Sequence, residues 1–554
     1  MKLPFLLLLL VFSSPIFGQT LPVGILPDLE DAYRRQFLLG KDSSNSSFMI
    51  RPLTNNNYRF FEDNNSSLSE FRKLLWRNEQ IKSSIYLLPA VFTQQYNSHH
   101  PYGINDAGMI PAKGYQLMAS AGVYARIGPL SIQLRPEFVH AYNEYFMQTF
   151  EANNEAKLKT LLESYHSTID APERFGTGRY NELSWGQSSV RLNFDPVSIG
   201  VSNENLWWGP GVRNSLLMSN NAPGFKHITL NTTRPIKTWL GSFESQIIAG
   251  KLEGSGLKST PGQKLKSSDW RYLSGIVFSY QPKWVPGLFL GFDRTFTTYS
   301  KIMGNSFSDY FPLFSALGKK SFENDDLTDN VENSFQRDQI FSLFAKWVMP
   351  ESMSEIYFQF GREDHSWNLR DVFVEPEHSR AYIVGFNKLL PYKSKADEFI
   401  QVGIELSQLE PSGAKSVRNQ GTWYSHGEVV HGYTNKGQII GAGIGPDNMQ
   451  SINVSWVKKF KAIGLLVERR VHNNALYYRA FGGTSEPRRH WADLGLGGKF
   501  NWDTRHFLIN SQLVYTHSFN YQYRIDNIDP GYFWNYDKQD ANNLHVKIGI
   551  MYKW

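Results

Sequence analysis

The 554-residue chain contains no cysteine, which excludes a disulfide framework and a lipid anchor on a cysteine. Long apolar runs are also missing. Beyond residues 3 to 11, no stretch approaches the roughly 18 consecutive apolar residues of a spanning helix, so any membrane span must be built from strands. Charged residues make up only 19% of the chain against 15% aromatics, a balance that suits a lipid-facing belt around a polar lumen. The net charge of +6 fits an anionic polysaccharide or a lipid surface but discriminates poorly. Nucleic acid is not expected as a partner, and no cofactor is expected.

At the N-terminus, Lys2 precedes an apolar run broken only by Pro4, and Ser13, Ser14 and Gly18 lead to Gln19. Residues 1–18 read as a cleavable secretory signal. The opposite end is equally informative. Leu544, Val546, Ile548, Ile550, Tyr552 and Trp554 fall on one face of a strand, while His545, Lys547, Gly549, Met551 and Lys553 fall on the other. An aromatic residue closing such a strand suits the interfacial girdle of a transmembrane β-barrel, and it resembles the assembly signal of bacterial outer-membrane proteins.

Period-2 alternation predicts seventeen further strands: 85–96, 113–126, 130–142, 184–194, 197–204, 225–231, 238–252, 271–281, 286–297, 338–348, 354–363, 380–389, 399–409, 449–458, 461–470, 491–501 and 504–519. Ile356, Phe358 and Phe360, for example, interleave with Tyr357 and Gln359. The connections alternate short and long, as periplasmic turns and outer loops do. Trp284, Trp347, Phe460, Phe500 and Trp502 border the short turns, where a periplasmic-side girdle belongs. The expected architecture is an all-β transmembrane barrel of eighteen antiparallel strands over residues 85–554, in the cell outer membrane. Residues 19–84 are expected to form a small helical segment on the periplasmic side. One helix would be capped by Asp28, with Leu29, Ala32, Tyr33 and Phe37 on one face and Gly40 as its stop. A second would follow the capping box of Ser67 to Glu70, with Phe71, Leu74 and Leu75 on one face.

The richest connection runs Asn203-Glu204-Asn205-Leu206-Trp207-Trp208-Gly209-Pro210-Gly211, then through Arg213 and Asn214 to Ser219-Asn220-Asn221-Ala222-Pro223-Gly224. A second block runs from Gly432 through Tyr433 and Asn435 to Gly445-Pro446-Asp447. In both blocks the sequence resembles the Wzi family of capsule-assembly outer-membrane proteins. The resemblance implies an outer-membrane lectin that tethers capsular or extracellular polysaccharide, without enzymatic activity. Its partners would be that polysaccharide, outer-membrane lipid, the barrel-assembly machinery and components of capsule export. The family pattern includes a three-helix N-terminal bundle, of which this sequence supplies two helices.

Trp207 and Trp208 are suited to stacking on sugar faces, with Arg213, Asn220 and Asn221 as hydrogen-bonding partners. The bordering glycines and prolines describe a constrained loop, so packing against the barrel wall ranks ahead of ligand contact for the tryptophan pair. Arg418, Trp423, Tyr424, His426 and Tyr433 form a second set of aromatics and donors in the long connection 410–448. No metal is expected: His426, Glu428 and His431 match no helical ligand spacing, and the acidic patch Glu323, Asp325, Asp326 and Asp329 lacks an EF-hand pattern. No nucleophile motif nominates catalytic residues. Two rival functions remain open, a diffusion channel through a wide barrel and a barrel hydrolase acting on lipid or glycan.

Overall fold

The computed structural model describes residues 19–24, 27–41, 46–54, 72–312, 337–363, 369–393, 395, 397–411, 421–482, 488–526 and 537–554. The signal segment, the capping box at 67–70, the acidic patch at 323–329 and Arg418 lie outside them.

Eighteen strands form the wall: β1 Ser83–Asn97, β2 Gly114–Ile127, β3 Leu130–Leu134 resuming as Glu137–Ala141, β4 Tyr180–Ser184 resuming as Ser189–Phe194, β5 Val197–Ser202, β6 His227–Thr232, β7 Gly241–Leu252, β8 Arg271–Pro282, β9 Leu288–Tyr299, β10 Asp338–Met349, β11 Ser354–Glu363, β12 Arg380–Pro391, β13 Phe399–Gln408, β14 Asn448–Lys458, β15 Lys461–Val471, β16 Ala492–Asp503, β17 Phe507–Phe519 and β18 Ala541–Tyr552. Each pairs antiparallel with the next. β18 returns to β1 in register from His545 opposite Asn97 to Tyr552 opposite Ala90, closing the barrel. Closure leaves no wall edge in lipid, where an unpaired backbone group has no water to bond. All eighteen strands expected from alternation are present, including the short β6.

The alternation sorts side chains as the period requires. On β11, Ile356 and Phe358 are 48% and 44% exposed to the outside, whereas Glu355, Tyr357 and Gln359 are buried inside. Trp284, Trp347 and Phe500 face outward at the short-turn end. Phe460 does not. In the tight turn after β14, where Lys459 takes φ +50°, Phe460 packs into the core at the barrel's base.

That core belongs to the N-terminal segment, which lies inside the barrel. Helix α1, Pro27–Leu38, begins at a proline preorganised for a first turn. It ends in a Schellman arrangement: Gly40 at φ +64° donates to Phe37 O and Lys41 donates to Gln36 O, both at 3.0 Å. Asp28 falls within its first turn rather than ahead of it. Leu29, Ala32, Tyr33 and Phe37 are all buried, as their spacing predicts, with Tyr33 stacked on Phe48 at 5.4 Å. The other side of α1 is charged and meets the polar wall. Arg34 bonds Glu355 at 2.9 Å, Asp31 bonds Lys499 at 2.6 Å, and Arg35 donates to Lys459 O at 2.6 Å.

The second expected helix is corrected. Leu74 and Leu75 lie in a strand, Lys73–Asn78, which forms a hairpin with the start of β1 and places Trp76 opposite Ile85. Cross-strand apolar pairing there outweighs the helical spacing of the two leucines.

Removing one partner of the Arg34–Glu355 pair strands a fully buried carboxylate, so R34A is expected to destabilise the plugged barrel by about 3–5 kcal/mol. The double variant R34L/E355L should recover most of that loss. Chemical denaturation in detergent, followed by tryptophan emission, measures both; equal midpoints for R34A and the parent would contradict the plug's anchoring role.

Candidate functional site

Two long connections fold back into the barrel and carry most of the residues nominated from sequence. In the first, between β5 and β6, Trp207 and Trp208 pair in antiparallel register with Arg51 and Ile50 of the plug. Trp208 is fully buried, donates from Nε1 to Gln246 Oε1 at 2.9 Å, and lies against Gly275, where an added Cβ would come 2.9 Å from the indole. Trp207 is 3% exposed, with the Arg51 guanidinium 4.4 Å from its ring centre. Arg213 is paired to Glu468 at 2.6 Å. Asn220 Nδ2 donates to Asn105 O at 2.9 Å, and Asn221 Nδ2 donates to Ile439 O at 3.0 Å.

The second inserted connection lies between β13 and β14. Trp423 and Tyr424 are fully buried and Tyr433 is 1% exposed, stacked on Tyr424 at 6.1 Å. The Tyr424 hydroxyl donates to Leu216 O at 2.8 Å and accepts from Ala442 N at 2.9 Å, tying the two insertions together. Trp423 Nε1 donates to Arg380 O at 3.2 Å. His426 is half-buried, and its Nδ1 accepts from the backbone of Glu428 and Val429. His431 is buried against the Tyr299 hydroxyl at 2.6 Å. Among the described residues no group of His, Asp and Glu is arranged to hold a metal ion. Trp208, Trp423, Tyr424 and Tyr433 are therefore struts, and a polymer outside the barrel cannot reach them without dismantling the insertions.

The space suited to a ligand lies at the long-loop end, in a cavity of about 320 Å³ walled by five connections. Its aromatic surface comes from residues that spacing in the sequence did not single out. Trp491 and His472 stack at 3.7 Å, Tyr521 and His100 stack at 4.7 Å, and Trp491 meets the edge of Tyr521 at 5.2 Å. Tyr165 and Glu173 complete the opposite side. Behind the rings, Asp447 bonds Arg470 at 2.6 Å and His472 at 3.2 Å, while Asp493 bonds the other nitrogen of His472 at 2.8 Å. His100 Nε2 and His166 Nδ1 line the cavity with no hydrogen-bond partner. Burial depresses both imidazoles to about 4, so they are neutral at physiological pH.

Two outer helices hold this cavity, α2 Ala156–Ser167 and α3 Asn474–Phe481. They pack through Leu158, Leu162, Leu476, Tyr477, Ala480 and Phe481. Leu158, Leu162 and Tyr165 recur at helical spacing, a signal that was present in the sequence but sits inside a connection assigned as loop.

The family of the capsule assembly protein Wzi matches residues 89–475, well over half of the chain. The chain belongs to this family. Wzi of Escherichia coli, an outer-membrane protein involved in group 1 capsule assembly and a carbohydrate-binding β-barrel, is similar in structure, with TM-score 0.58 at 13% identity, covering 97% of this chain and 99% of that one. OccAB2 of Acinetobacter baumannii follows at TM-score 0.39 and 11% identity, covering 85% of this chain and 98% of its own. OpdL of Pseudomonas aeruginosa gives 0.37 and 8%, over 85% and 98%. A comparison with curated proteins finds no match. As a Wzi-family outer-membrane barrel, the chain carries its short turns at one end and its long loops, with α2 and α3, at the other.

Burial opposes charge on His472, but Asp493 and Asp447 overcome it and hold the imidazolium above its ordinary range. A folded-state value above the unfolded one of about 6.5 adds stability that is fully present below that pH and is lost as pH rises through the folded value. Hydrogen-exchange protection of residues 472–482 is therefore expected to fall on raising the pH from 6 to 9, after correction for intrinsic exchange. H472Q should flatten that dependence; an identical slope in the variant would remove His472 as its source.

Proposed function

We propose that this Wzi-family barrel binds surface polysaccharide through its outer cavity and retains capsule or exopolysaccharide at the cell surface. The observation that carries this reading is the combination of half-buried aromatic faces at Trp491, Tyr521 and Tyr165 with the unpartnered nitrogens of His100 and His166. Aromatic faces take the apolar C–H side of a pyranose, and ring nitrogens take its hydroxyls. The carbohydrate binding of the Escherichia coli Wzi barrel supports the assignment.

Retention is binding without chemistry. A polymer offers each repeat at high effective concentration, so weak contacts at many barrels add up to strong attachment. Trp208, Trp423, Tyr424 and Tyr433, nominated from sequence, act in this reading by fixing the floor beneath the cavity. The aromatic-ended β18 is the segment offered to the barrel-assembly machinery, and the periplasmic mouth faces components of capsule export. Inserted segments occupy the lumen and break the remaining space into cavities, which favours retention over diffusion. Purified protein is expected to give no large steady conductance in planar bilayers.

W491A/Y521A is expected to weaken binding of the strain's own purified surface polysaccharide by about tenfold or more. In cells, the double variant should raise the shed fraction while total polymer stays constant. Unchanged affinity and an unchanged ratio of attached to shed polymer would defeat this reading.

A further inference from the structure

A second cavity of about 260 Å³ lies deeper, between α1, the β5–β6 insertion and the wall formed by β14 to β18. Its lining is cationic, with Arg34, Arg51, Arg213, Lys499 and Lys547 against Glu30 and Asp31. Four of the five cations have close carboxylate partners: Glu355 for Arg34, Glu468 for Arg213, Asp31 for Lys499 and Asp106 for Lys547. Arg51 is the exception. It is 5% exposed, pairs with Glu30 at the longer distance of 3.5 Å and lies over the rings of Trp207 and Phe48, while its Nε and Nη2 have no hydrogen-bond partner. Burial raises the carboxyl of Glu30 against the pull of Arg51, and lowers Arg51 to about 10, so Arg51 stays charged.

Other polar atoms lining the same cavity are unpartnered as well. Trp207 Nε1 and Arg213 Nε are donors without acceptors, and Asn105 Oδ1 and Asn220 Oδ1 are acceptors without donors. A buried polar group left in this way carries a desolvation penalty, larger when charged, that an occupant would relieve. Donors around a guanidinium with two unpartnered nitrogens suit an oxyanion, whereas unpartnered amide oxygens suit hydroxyls. Three residues nominated from sequence, Trp207, Arg213 and Asn220, thus meet here rather than at the outer face.

We propose that this inner cavity is a binding site for a small acidic saccharide unit, its carboxylate or phosphate held by Arg51 and its hydroxyls by Asn105 and Asn220. The cavity extends toward the periplasmic turns, where Asp31 and Lys499 keep 29% and 27% of their side chains exposed. The proposal does not depend on polysaccharide binding at the outer cavity, since the two spaces use different residues.

Titration calorimetry on the full-length protein in detergent tests it with four probes: glucuronate, glucose 1-phosphate, inorganic phosphate and glucose. Saturable binding of glucuronate or glucose 1-phosphate is expected, with glucose and inorganic phosphate at least about tenfold weaker. The two acidic probes separate carboxylate from phosphate as the preferred group. R51Q, and R51K as the variant that keeps the charge and the fold, should each lose about tenfold or more. Three results would overturn the site: glucose bound as tightly as the acids, inorganic phosphate bound as tightly as the sugar phosphate, or full affinity in a folded R51K.

Discussion

The interior of this barrel depends on wall carboxylates that accept backbone N–H groups from chain threaded through the lumen. Glu405 on β13 is the central case. Its two oxygens accept from the amides of Val212, Arg213 and Asn214 at 2.7, 3.0 and 2.8 Å, and from the Tyr357 hydroxyl at 2.8 Å. Irregular chain inside a barrel has no ladder to bond, yet its amides must be satisfied. Glu244 does the same for Ser47 of the plug at 2.6 Å, and Glu363 for Tyr424 at 2.5 Å. Period-2 alternation makes this possible, because each strand that shows an apolar residue to lipid can show a carboxylate to the lumen.

Close approach is the second half of the arrangement. Gly275 lies beneath Trp208, and Gly361 lies beneath Trp423 and Leu216, so wall positions without side chains receive the largest rings of the insertions. The tryptophan pair serves the function at one remove. It locks the β5–β6 insertion to the plug, and Tyr424 locks the β13–β14 insertion onto it, which leaves a rigid floor below the outer cavity. Lost freedom is then small when a polymer repeat settles there.

Outer cavity and inner cavity divide the chemistry. The outer one has Asp447 and Asp493 paired with Arg470 and His472 and presents aromatic faces. The inner one keeps a guanidinium, that of Arg51, with two nitrogens free of hydrogen bonds. A barrel that retains polymer outside and holds an acidic sugar unit near the periplasm would contact the same class of molecule at both ends of its lumen.

Strand number, strand boundaries, the outward aromatic belt and the buried face of α1 were legible in the sequence, because each rests on local periodicity that a lipid–lumen boundary enforces over a few residues. Trp207 and Trp208 were also legible as members of a constrained loop, whereas Tyr424, in the second long connection, read as a sugar-contacting aromatic and is buried instead. What only the tertiary structure decided is where those loops go. Their inward course comes from Glu405, Glu363 and Gly275, which lie on three separate strands far in sequence from the loop residues they meet, and no local pattern links them. The same holds for the strand at Lys73–Asn78, where pairing with β1 overrides the helical spacing of Leu74 and Leu75. The cavities have the same origin: Trp491 meets Tyr521, and Arg51 meets Trp207, only because barrel closure brings five loops and a plug together.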